Sequence, residues 1–319
     1  MVEYLIGKRE LISFSNAESS YAAVTAPKVL LGRNAKWTPK DTAGWIDVKG
    51  AGTDSINIDV REQGIKTAAG SLEFVPQNWK FLKFVLCAAS SDVTDTGSTP
   101  TTHTFTNGTS GLCSFNLERA IKATTSRVRT YKGCQVNKFT LNFDAAGGGF
   151  VNCNADILAR DVSTGTVVTS LTPLATEGFK ARMATLVVNG SSEVRLLSGT
   201  IAIDNKLDAA RYANYANDNT LKSQSSPQQR DVTGSFVVNL TDDTYFTLWN
   251  NLVKVPGACS LTLTRAASDT LTLTFTDMYI EDAPDPTNLE GINSCTVNFK
   301  AKSVAVVAVD GLTDYGTFA

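Results

Sequence analysis

A single histidine, His103, stands in the segment "PTTHTFTNG". Any Ser-His-Asp or Cys-His mechanism would have to use it, because the nucleophile needs a base within hydrogen-bond reach. No G-x-S-x-G elbow accompanies it. Its place between a polar loop and the start of a strand predicts a surface residue. Six cysteines, at 87, 113, 134, 153, 259 and 295, form neither a CxxC pair nor a Cys/His zinc spacing. Several sit inside apolar alternations, where cysteine behaves as a small core residue, so buried free thiols are expected. The stretches "GTSG", "AAGGG" and "SGT" lack the Lys-Ser/Thr of a phosphate-binding loop. "DAPDP" (282–286) lacks EF-hand spacing and reads as a surface turn or a weak cation site. These residues predict no catalytic centre, no metal site and no cofactor.

The elements that could position such residues are mostly strands. Period-2 alternation rich in Thr, Val, Ile and Phe appears in "SINID" (55–59), "KFTLNF" (138–143) and "NADIL" (154–158). It recurs in "GTIAI" (199–203), "LTLTFT" (271–276) and "CTVNFKA" (295–301). Two segments break the pattern. "VPQNWKFLKFVLCAA" predicts a helix from Pro76, with Trp79, Leu82 and Leu86 on one face. "TDDTYFTLWNNLV" predicts a second, with Thr241 as N-cap, Asp242 and Asp243 at the positive end, and Tyr245, Leu248, Trp249 and Leu252 as its apolar face.

Composition bounds the class. The chain has 319 residues, enough for one large or two ordinary domains. A net charge of −2 argues against a surface built to hold nucleic acid, though not against DNA passing without sticking. No apolar run is long enough for a membrane helix. The start, "MVEYLIGKRE", is too polar for a signal peptide, which predicts a cytoplasmic protein at synthesis and no disulfide framework.

The chain also repeats itself. "CSFNLERA" (113–120) returns as "CSLTLTRA" (259–266), identical at five of eight positions. "SINID" meets "TIAID" (200–204), "GSLEF" (70–74) meets "GSFVV" (234–238), and each is followed by its helix. "GFVNCNADILAR" (149–160) meets "GINSCTVNFKAK" (291–302). The shared order predicts a duplicated domain. The expected organisation is an N-terminal arm (1–34), copy one (35–161), a linker (162–180), copy two (181–304) and a C-terminal segment (305–319). Copy one carries a long polar stretch (90–111) and copy two a long insertion (205–231). An insertion of that length is functional or disordered. Its Arg211, Tyr212, Tyr215 and Arg230 are interface-type residues, which favours a docking loop over a solvated one.

The segment from Gly70 to Arg160 resembles the tail tube proteins of long-tailed, siphovirus-like bacteriophages. The resemblance lies in the order "GSLEF", aromatic helix, "THTFTNG", "CSFNLERA", "YKGCQVNKFTLNFDAAGGG" and "VNCNADILARD", and "AESSYAAVTAP" is similar to the family's arm. It covers most of copy one; copy two follows through its likeness to copy one. It implies a mainly β, sandwich- or barrel-like domain with one short flanking helix. Six such domains would make a ring, and rings would stack into a hollow tube through which DNA passes without specific binding. Two domains per chain then predict a trimeric, pseudo-hexameric ring. The implied partners are the chain itself, tape-measure, terminator and tail-tip or baseplate proteins, with no membrane. The implied location is the virion tail, after the host cytoplasm. A secretion-system tube, another virion component and a carbohydrate-binding β-sandwich stay as alternatives.

Overall fold

In the computed structural model the chain is almost wholly antiparallel β-structure. The structure describes residues 10–23, 25–48, 60–108, 111–121, 127–145, 149–165, 171, 174–193, 196–208, 225, 227–240, 242–283, 293–316 and 318. The first half opens with a hairpin of β1 (Glu10–Ala17) and β2 (Pro27–Leu30). Then come β3 (Arg33–Pro39), β4 (Thr42–Val48), β5 (Val60–Val75) and the short helix α1 (Leu82–Leu86). A hairpin of β6 (Val93–Thr96) and β7 (Thr101–Phe105) precedes β8 (Phe115–Ile121), β9 (Arg127–Asp144), β10 (Asn152–Ala159) and β11 (Asp161–Gly165). The second half opens with another hairpin, β12 (Ala184–Val188) and β13 (Ser191–Glu193). It continues with β14 (Leu196–Asp204), β15 (Asp231–Asn239), helix α2 (Thr244–Asn250), β16 (Cys259–Ala266), β17 (Asp269–Asp282) and β18 (Ser294–Asp310).

The strands make a sandwich-like arrangement. One run of hydrogen-bonded neighbours is β3-β5-β10-β9. It continues without a break as β14-β15-β18-β17. A second run in the first half is β2-β1-β8-β9-β11. Strand β9 serves both runs because it turns at Gly133, whose φ of 63° suits a residue without a Cβ. Strand β17 turns likewise at Asp277, φ 46°. Between the two runs of the first half sits an aromatic core. Phe81 packs edge-on against Phe14 of β1 and Phe74 of β5, and Phe84 lies 4.3 Å from Phe115 of β8. In the second half Phe236, Phe275, Phe299 and Tyr245 play that part.

Alternation placed most strands correctly; "SINID" (55–59) lies outside the described residues. In the first half the place beside the Gly-Ser strand β5 is taken by β3, just as β14 lies beside β15. Four other expectations change. The first helix is only five residues long, because 77–81 form tight turns closed by three-residue backbone bonds and by Asn78, whose carbonyl accepts Lys80 N–H. In the second, Asp243 is the cap residue and Asp242 accepts Thr244 N–H; Thr241 lies outside the described residues. Leu252 is not on the buried face: the helix ends at Asn250, Leu252 takes φ 52°, and it is 82% exposed. The polar stretch 90–111 holds the β6-β7 hairpin.

The ladder between β9 and β14 joins the two halves of the chain, and Gly199 shows how tight it is. Gly199 lies opposite Phe143, and a Cβ there would come within 2.5 Å of the Phe143 ring. Gly70 gives the Trp37 ring the same room, at 2.3 Å. Gly199→Val is expected to destabilise the fold by about 1–3 kcal/mol through overpacking. Chemical denaturation checks this; an unchanged midpoint would mean that the Phe143 ring is not held at the joint.

Candidate assembly surfaces and the ties between halves

Beyond the β9–β14 ladder, the root of the 205–231 insertion grips the first half. Asn205 is fully buried and its amide donates to Val85 O (3.1 Å) and Val136 O (3.0 Å). Arg230 spreads its guanidinium over Asn205 Oδ1 (2.7 Å), Asn107 Oδ1 (3.0 Å) and Leu86 O (3.1 Å). It thus satisfies the end of α1, whose last carbonyls have no helical partner. Gln135 of β9 accepts Ser225 N–H at 2.9 Å and donates to Ser225 O at 3.2 Å. Asp231 receives Lys206 and, at 3.4 Å, Lys300. Of the four interface-type residues named from sequence, Arg230 is therefore engaged within the chain. Arg211, Tyr212 and Tyr215 lie outside the described residues.

A second tie is made by the chain's end. His103, expected on the surface, is fully buried. It lies on the inward side of β7, where Thr101, His103 and Phe105 alternate with less buried neighbours. Its Nδ1 meets Asp95 Oδ1 at 2.6 Å and its Nε2 meets Asp310 Oδ1 at 3.1 Å. Tyr315 stacks on the imidazole at 3.7 Å and donates its hydroxyl to Asp310. The tyrosine oxygen in turn accepts Trp79 N–H. With a carboxylate at each ring nitrogen, both nitrogens must donate, which favours the imidazolium. Burial works against that charge, but the hydrogen bonds to Asp310 and Asp95 outweigh it and raise the pKa. Burial likewise opposes the Asp310 charge, and the bonds from His103 and Tyr315 prevail and lower its pKa. Farther along, fully buried Lys83 donates to Asn16 Oδ1 (2.6 Å) and Gly316 O, beneath the Phe318 ring. Burial pushes its pKa down to about 8.

The two arginines of the repeated octapeptide each hold the segment that opens their half. Arg119 pairs with Glu10 of β1 at 2.6 Å. Arg265 lies over the Phe179 ring at 4.6 Å and donates to Glu177 O, just before β12. All six cysteines are free and buried, as expected. Burial raises Cys113 to about 11 and Cys87 to about 12, so neither is a thiolate near neutrality.

Two regions are left open. At one end of the long run, β3 is bonded to β5 alone among the described strands, and only Trp37 of its side chains is buried. At the other end β17 pairs with β16 up to Phe275, and beyond that pairing α2, the turn that follows it and Tyr279 of β17 expose Phe246, Leu252, Val253 and the tyrosine ring. Among the described residues the arrangement is a long antiparallel run in which the edge strand β3 pairs with β5 alone. A family model described as "Phage tail tube protein" matches residues 13–308, nearly the whole chain. The chain belongs to that family, and it is a structural component of a phage tail tube. No curated protein matches it. No helix among the described residues is long and apolar enough to cross a membrane.

The His103 clasp predicts a pH dependence. A raised His pKa adds stability that is fully present below the unfolded value, about 6.5, and is lost as pH rises through the folded value. The stability difference between wild type and His103→Gln should be about 3 kcal/mol near pH 5.5 and shrink steadily toward pH 9. Urea titrations at intervals across that range measure it. A difference that stays constant with pH would mean that His103 is held neutral.

Proposed function

We propose that this chain is a ring-building unit written twice, and that three chains close one pseudo-sixfold ring of the tube. The observation that carries this reading is the β9–β14 ladder. On one side of it stand β3, β5, β10 and β9; on the other stand β14, β15, β18 and β17, in matching order. A joint between two such units inside one chain is a template for the joint between chains, where the open β3 edge of one would meet the β17 side of the next. Closing the ring removes edges that would otherwise recruit strands without limit. On this reading the first unit takes in the β1-β2 hairpin, which pairs with β8 as β12-β13 pairs with β16.

Rings then stack, and Arg211, Tyr212 and Tyr215 of the insertion make contacts between them. The protein acts as a non-enzymatic conduit in a siphovirus-like tail, with DNA sliding past a mildly acidic wall instead of binding. It assembles from the host cytoplasm against tape-measure, terminator and tail-tip proteins.

Native mass spectrometry and negative-stain electron microscopy of the concentrated protein test the count. Closed rings of three chains are expected, with six lobes in projection. Rings of six chains would remove the duplication arithmetic while keeping the tube. Deleting 208–228 should leave rings intact and prevent their stacking into tubes; normal tubes from that variant would take the insertion out of the mechanism.

A further inference from the structure

The first half of the chain carries a surface that the second half covers, and the second half carries its counterpart uncovered. In the first half, Gln135 stands two residues beyond the left-handed turn at Gly133 and is buried by the insertion root, through its paired bonds with Ser225. Beside it, Leu207 N–H reaches Asn137 Oδ1 at 2.8 Å, and Asn205 caps Val85 and Val136. In the second half, Tyr279 stands two residues beyond the left-handed turn at Asp277 and is 45% exposed. With Trp249, Leu252, Val253, Ile280 and Glu281 it lines a shallow groove of about 460 Å³. Leu252 is 82% exposed there, an unusual position for a large aliphatic side chain beside other apolar groups.

The element that would cover it is also visible. The insertion root covers Gln135 because the chain leaves β14 at Asp204 and returns at Asp231. Strand β3 lies beside β5 as β14 lies beside β15, and the chain leaves β3 at Pro39 into the β4–β5 ribbon. Strand β4 of that ribbon pairs with β5 alone among the described strands. Its sequence is "TAGWIDV", and Lys66 on the opposite strand is exposed. Glu281 of the groove is exposed as well, which gives the two surfaces opposite charge at their rims.

We infer that the groove at Trp249, Leu252, Val253 and Tyr279 is the lateral docking surface for the root of the β4–β5 ribbon of a second copy of this chain. The inference rests on the ring reading above and deepens it, since it names which surfaces meet. The ribbon repeats on the neighbouring chain what the insertion root does within one chain. Apolar contact at Leu252 and Tyr279 supplies the attraction, and Lys66 against Glu281 sets the register.

The test uses the full chain. Leu252→Asp should leave the monomer's thermal midpoint unchanged, because the side chain is already in water, and should lower ring formation at least tenfold in native mass spectra. A photo-crosslinking residue, Leu252→p-benzoylphenylalanine, mixed with isotope-labelled chains, should yield crosslinks between chains, to peptides within 40–48 or 60–69. If the wild type builds rings, Leu252→Asp builds them equally well, and crosslinks fall elsewhere, the docking surface is wrong and the ring stands. If the wild type builds no rings at any concentration or on tail-tip seeds, both readings fall.

Discussion

The β9–β14 ladder is the constraint on which the rest of the molecule depends. Residues 138–144 pair with 198–204 in continuous antiparallel register. That pairing turns two sets of strands into one uninterrupted hydrogen-bonded run, so the halves cannot move as independent beads. A β-edge is an unsatisfied template, and this one is satisfied inside the chain. Everything near it serves to keep the register. Gly199 lets the Phe143 ring lie over the joint, Thr200 donates to Asn142 across it at 2.9 Å, and Asn205 seals its end.

The second organising feature is where charge is buried. His103, Asp310 and Lys83 are all withdrawn from water, yet each has partners supplied by remote segments. Burying a charge is costly without such partners, so the chain's end holds its place only when they are present. The result ties residues 310–318 to α1, β1 and the β6-β7 hairpin, while β18 pairs with β7 by backbone bonds. The two halves are thus joined twice, once through the long run and once through the C-terminal strand.

How much of this could be read beforehand divides by the range of the interaction. Period-2 alternation located the strands, since the pleat alone decides which side chains face inward. "GSLEF" and "GSFVV" fall in β5 and β15, each followed by a short helix, α1 and α2. Leu252 was misread because a helical face was extended past Asn250, where the chain turns left-handed. His103 was misread because polar neighbours suggested solvent. Its own alternation with Thr101 and Phe105 was the signal for burial, but the carboxylate of Asp310 comes from the far end of the chain.

By itself, then, the sequence determined the local elements: strands, short helices, duplicated order and the lack of recognisable catalytic spacing. These follow from neighbours a few residues apart, through sterics and hydrophobic periodicity. Only the tertiary structure decided which edges pair and which stay open. Arg230 caps a helix in the other half, β18 crosses from one half to the other, and Tyr279 is left bare where Gln135 is covered. The first two depend on groups separated by a hundred residues or more. Local pattern carries no information about such distances, because backbone hydrogen bonds can be satisfied by any strand of matching register.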